Sequence, residues 1–123
     1  MSEPSEPFNR ARISVTEALA HLPGSEDEHF ATLMQHGGLE VGIYAPRGKD
    51  LQTPHLRDEI YVVIRGKGVF LNGTSRHPFE AGDVLFVAAG VEHRFKDFTE
   101  DFAVWVIFFG PEGKEQVESE LET

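Results

Sequence analysis

Apolar positions in this chain fall in short runs rather than on a helical stripe. From Phe30 onward, stretches rich in β-branched and aromatic residues are cut by Gly, Pro and Asn too often for a helix of ordinary length to fit between the breaks. The pattern predicts strands over His29 to Met34, Leu39 to Ala45, Ile60 to Arg65, Val69 to Leu71, Ser75 to Phe79, Val84 to Val87, Glu92 to Phe95 and Phe102 to Phe109. Turn signals separate them, and their short spacing marks an antiparallel sandwich or barrel. Asn72-Gly73 is the sharpest, predicting a type I′ hairpin centred on those two residues. Before this region one short helix is expected, capped by Thr16, running from Glu17 to Leu22 and stopped by Pro23-Gly24. The predicted class is therefore all-β, with a short N-terminal helix.

Two of the strands are apolar on both faces. Tyr61-Val62-Val63-Ile64 and Ala103-Val104-Trp105-Val106-Ile107-Phe108-Phe109 show no alternation of apolar and polar positions, so each needs cover on a second side. Two covers are open: a second sheet within the chain, or a homodimer in which the Trp105 strand packs on its mate.

A length of 123 residues, 40% of them hydrophobic and 26% charged, fits a single domain. Zero cysteines exclude disulfides, thiolate nucleophiles and Cys-bound metals, leaving nitrogen and oxygen as the only ligands for an ion. The net charge of −10 argues against nucleic acid. Glu3 and Glu6, with the five Glu and one Lys from Glu112 onward, account for −6 of it, so residues 9–111 carry −4. Residues 1–8 and 112–123 are read as polar tails flanking a 9–111 domain. No run is long and apolar enough for a membrane span, and the start of the chain has no signal-peptide pattern, so a cytoplasmic location is expected.

Six histidines are the candidate chemistry. His21, His29, His36 and His77 stand beside turns or at element ends, where a solvent-facing imidazole is the expected state. His55 and Glu59 differ, because they immediately precede the apolar run beginning at Ile60. Four residues of straight strand span about 13 Å, too far to share an ion, so the two cooperate only if the chain bends at Leu56-Arg57-Asp58. His93 is the third candidate, following a strand and the small-residue turn Ala88-Ala89-Gly90. Two neutral imidazoles and one carboxylate form an N,N,O set with open coordination positions, suited to Fe(II) and usable by Mn, Ni, Co or Zn.

These two segments together resemble the paired motifs of the cupin superfamily. Gly48, His55, Glu59 and Gly66 match the first motif, with Thr53 where its first histidine is expected; Gly82, Gly90 and His93 match the second, with Ala88 and Asp97 in place of its proline and asparagine. The resemblance implies a jelly-roll barrel, a metal at His55, Glu59 and His93, and either dioxygenase or isomerase and lyase chemistry on a small polar molecule. It equally allows a metal-free module that only binds or senses a small ligand. Thr53 or Gln52 is a candidate fourth ligand or substrate contact, and water is the alternative. Tyr61 and Phe95 share the parity of Glu59 and His93 and are candidates for the pocket wall or for core. Arg57 and Asp58 are expected on the solvent side of the bend as an exposed ion pair. Arg47 and Arg94 are read either as carboxylate-orienting groups or as solvated surface.

Overall fold

Why the chain closes on itself is visible in its strand pairing. A computed structural model describes residues 11–22, 29–50 and 55–110. The strands are β1 (Phe30–His36), β2 (Leu39–Tyr44), β3 (Asp58–Arg65), β4 (Lys67–Asn72), β5 (Ser75–Glu80), β6 (Val84–Val87), β7 (His93–Lys96) and β8 (Ala103–Phe109), preceded by the helix α1 (Val15–Leu19). All ladders are antiparallel, in a five-stranded sheet of order β1-β2-β8-β3-β6 and a three-stranded sheet of order β5-β4-β7. Every strand expected from the pattern is present, with ends moved by no more than two residues. The two tails read at residues 1–8 and 112–123 lie outside the described residues.

The two sheets face each other across an aromatic core. Tyr61 and Val63 from β3 meet Phe70, Phe79 and Phe95 of the smaller sheet, together with Phe102, Val104 and Val106. Phe95 lies at its centre, with ring centroids 4.8 Å from both Tyr61 and Phe102 and 5.1 Å from Phe70. Rings tilted or edge-on at these separations add to simple area burial. Gly66, the closing glycine of the first motif, has φ +89, and a Cβ there would stand 2.7 Å from both Phe102 Cα and Thr99 Oγ1. Its lack of a side chain lets the β3–β4 corner pass against the 99–102 turn.

The second sheet covers one face of β3 and β8, and the short helix covers part of the other within the same chain. Ala18, Leu33 and Ile43 form a second buried cluster, flanked by Ile13, Leu19, Leu22, Ile64 and Trp105. The short helix thus shields the Trp105 side of β8. Val84, Phe86 and Phe109 on the outer face stay exposed, Val84 at 65% and Phe86 at 51%.

Three local expectations are corrected. The helix cap is Ser14 rather than Thr16: Glu17 N–H donates to Ser14 Oγ at 3.1 Å, and Ser14 N–H donates to Glu17 Oε1 at 2.9 Å. That reciprocal pair starts the helix two residues early, and it ends at Leu19. Asn72 pairs with Ser75, so the β4–β5 turn is centred on Gly73-Thr74, with Gly73 alone at positive φ (+60). A single positive φ at the first central residue is the II′ arrangement, not I′. His77 lies within β5, opposite Phe70 and exposed, rather than in a turn.

Candidate metal centre

The strand register brings the candidate ligands to one end of the space between the sheets. Glu59 pairs with both Val87 and Phe108 and points inward, while His93 opens β7 opposite Asn72 on the other sheet. Leu56 and Arg57 form a bend and β3 starts at Asp58, so the chain turns between His55 and Glu59. Two hydrogen bonds fix that bend against the next motif: Gly90 N–H donates to His55 O at 2.8 Å, and Ala89 N–H donates to Asp58 Oδ1 at 2.9 Å. The two motifs are therefore stitched together by one main-chain bond and one bond from main chain to the Asp58 carboxylate.

Each of His55, Glu59 and His93 offers a ligand atom, and these atoms lie within 4.8 Å of one another. His93 Nε2 is 3.4 Å and His55 Nε2 3.8 Å from Glu59 Oε1. Ligands about 2.1 Å from a common ion stand roughly 3 to 3.5 Å apart, so small adjustments bring the set to coordination distance. Glu59 Oε1 and His93 Nε2 are buried without a hydrogen-bond partner. Two orphaned buried polar atoms facing each other cost free energy in a fold that uses them for nothing else, and a cation would satisfy both.

Supporting contacts orient these groups. His93 Nδ1 lies 2.9 Å from Val91 O; a proton on Nδ1 makes that a hydrogen bond and leaves Nε2 as the lone-pair atom. The Tyr61 hydroxyl donates to the Glu59 carboxylate. Burial drives the Glu59 carboxyl up to about 7, opposed by the Tyr61 bond and Arg57 and reinforced by Asp50. Burial pulls His55 down to about 4, with His93 and Arg57 adding to the shift, and burial also lowers His93. Both imidazoles are thus neutral and ready to donate lone pairs.

Two buried groups carried no warning in the chain pattern. Asp50, 3% exposed, accepts from the Tyr44 hydroxyl and from Phe95 N–H, at 2.5 and 2.8 Å. Its charge is felt at all three candidate ligands. Glu40 points inward from β2, where Thr32 Oγ1 donates to it at 2.6 Å and Arg57 Nη2 at 2.7 Å. Arg57 is consequently not the solvent-side partner of Asp58 that the sequence led us to expect. Asp58 is spent on Ala89 N–H, and the guanidinium folds back across the Phe108 ring, 4.7 Å from its centroid. Tyr61 combines both of its expected roles, touching Glu59 and filling core, whereas Phe95 is core. Gln52 and Thr53 lie outside the described residues. Arg47 and Arg94 are exposed, as are His21, His36 and His77; His29 is half-buried, and none of these histidines joins the cluster.

A cupin-domain family model matches residues 41–109, and the chain belongs to that family. Its relatives include an uncharacterized protein of Streptomyces coelicolor, 33% identical over 90 residues, covering 72% of this chain and 86% of that one. An oxalate-binding protein of Thermotoga maritima is 31% identical over 84 residues, 64% of this chain and 63% of its own. Among solved structures, a cupin 2 conserved barrel domain protein from Salinispora arenicola superposes with a TM-score of 0.64 at 19% identity, covering 91% of this chain and 98% of that one. The fold is the jelly-roll barrel of the cupins.

Proposed function

We propose that residues 9–111 form a barrel that holds one divalent cation through His55, Glu59 and His93 and acts on a small polar metabolite bound beside it. The observation that carries this reading is the pair of buried, partnerless atoms, Glu59 Oε1 and His93 Nε2, facing each other with His55 Nε2 nearby. Fe, Mn, Ni, Co and Zn all suit such a donor set. A cation there supplies Lewis acidity toward a chelating oxygen and, as Fe(II), dioxygen activation. The chain's own residues do the rest. Val91 and Tyr61 hold His93 and Glu59 in orientation, and the Phe70 and Phe108 rings help exclude water. Dioxygenation, or isomerase or lyase chemistry, is the reaction class we propose, in the cytoplasm, where recovery of the protein in the cytosolic fraction checks the location.

Emission spectrometry on protein purified without chelating resin tests the reading. About one transition-metal ion per chain is expected, and a content far below one overturns it. A second reading, capture of a ligand without turnover, draws support from the relative named for binding oxalate. Oxygen uptake by the Fe(II)-loaded protein with candidate substrates separates the two.

A second copy of the chain is proposed to cover the apolar strip on the outer face. β6 is an edge strand of the larger sheet, and its Val84 and Phe86 face solvent beside β3. An exposed edge of this kind is an aggregation hazard when left bare. Sedimentation velocity at micromolar concentration is expected to show a dimer that Phe86→Glu splits; a monomeric wild type rejects the assignment.

A further inference from the structure

The ligand groups are unevenly buried, and this sets the direction from which anything reaches them. The Glu59 and His93 side chains are 1% and 0% exposed, whereas His55 is 32% exposed. The approach to the centre therefore passes His55. Arg57, two residues on, is also partly open, with its side chain 25% exposed. Its guanidinium covers Phe108, and the Phe108 ring meets His55 edge-on at 5.2 Å, so cation and candidate ligand share one aromatic wall. Arg57 is also felt electrostatically at both His55 and Glu59.

The guanidinium is held in place before any ligand arrives. Glu40 takes Nη2 at 2.7 Å and is itself fixed by Thr32 at 2.6 Å. The bend carrying Arg57 is pinned at both ends by Gly90 and Ala89. An Arg offers five N–H donors in a planar fork, and Glu40 Oε1 is the partner the structure gives it among the described residues. The remaining donors suit a planar oxyanion, and a fork already immobilised loses little freedom when it binds one.

We infer that Arg57 is a specificity residue that selects small carboxylates for this centre, one end of the ligand lying against the guanidinium and an oxygen at the other end facing His55, Glu59 and His93. The inference rests on the metal-binding reading above and adds the chemical class of the ligand. The cation itself favours charged over neutral chelators, so a purely structural Arg57, tying the bend to β2, predicts a preference that is the same with and without the guanidinium.

Malonate and malonamide make the discriminating pair, being close in size and both able to chelate, with only malonate charged. Calorimetric titration of the Mn(II)-loaded protein is expected to show malonate binding at least tenfold more tightly than malonamide. The double variant Arg57→Met with Glu40→Gln removes both ends of the buried pair and strands no charge. In it the preference is expected to shrink at least tenfold relative to the wild type while Mn(II) affinity is retained, since the pair removed is neutral overall and neither residue is a metal ligand. Arg57→Lys, which keeps the charge and loses the fork, is expected to fall between the two. An undiminished preference in the double variant, or no preference in the wild type, overturns the role of Arg57 while leaving the metal centre standing. Failure of the wild type to take up Mn(II), recorded before ligand is added, overturns both.

Discussion

Glu59→Gln is expected to weaken divalent-metal binding by at least a hundredfold and, in the same molecule, to make the metal-free protein more stable at pH 8. The first effect follows from replacing the anionic member of the ligand set with a neutral amide oxygen. The second follows from burial: Glu59 is 1% exposed, and desolvation raises its carboxyl to about 7. A carboxyl whose folded value lies above its ordinary 4.5 favours the fold fully below pH 4.5 and loses that advantage as pH rises through about 7. At pH 8 the ionised group therefore opposes folding by an amount on the order of 3 kcal/mol, which the amide removes while still accepting from Tyr61. Urea unfolding with chelator present should show the variant gaining at pH 8 and the gain vanishing near pH 5, where wild-type Glu59 is already neutral. A variant destabilised at both values would mean that the carboxylate is held for structural reasons.

That trade of stability for a site explains which features the amino-acid pattern disclosed. The strands were legible because β-branched and aromatic runs and their Gly, Pro and Asn punctuation act locally, and tertiary packing moved their ends only slightly. His55, Glu59 and His93 stood out because imidazole and carboxylate beside strongly apolar strands are costly unless used. The bend at Leu56-Arg57 could be required on distance grounds, since a straight strand keeps residues 55 and 59 apart. Contacts between residues distant in the chain were not legible in the same way. Glu40 joins Arg57 across 17 positions, and Asp50 joins Phe95 across 45. An inward Glu on β2 looks, in sequence, like any strand carboxylate until the neighbouring loop is known to fold over it. The cap at Ser14 was missed for a local reason, because Thr16 and Ser14 are both acceptable caps and only the Glu17 side chain reaching back decides between them.

Metal affinity should itself depend on pH in a way that distinguishes this centre from one limited by its histidines. Ordinary imidazoles compete with metal below about 6.5. Here burial lowers His55 to about 4, so it takes no proton in the mildly acidic range, and burial lowers His93 as well. Glu59 does, because its carboxyl stays protonated up to about 7 in the metal-free protein. An ion entering below that value must displace one proton, so affinity should fall about tenfold per pH unit between pH 7 and 5 and level off above pH 7. Calorimetry in buffers of different ionisation enthalpy should count about one proton released at pH 6 and almost none at pH 8. The metal-free stability profile has the opposite contribution superimposed: the lowered His55 stabilises the fold fully above pH 6.5 and ceases to do so as pH falls toward 4. Glu59→Gln should remove the proton release at pH 6 along with most of the affinity, whereas Tyr61→Phe, which deletes a hydrogen bond to the ionised carboxylate, should shift the break to higher pH. A break that stays at 6.5 in both wild type and Tyr61→Phe would assign the competing proton to an imidazole instead of Glu59.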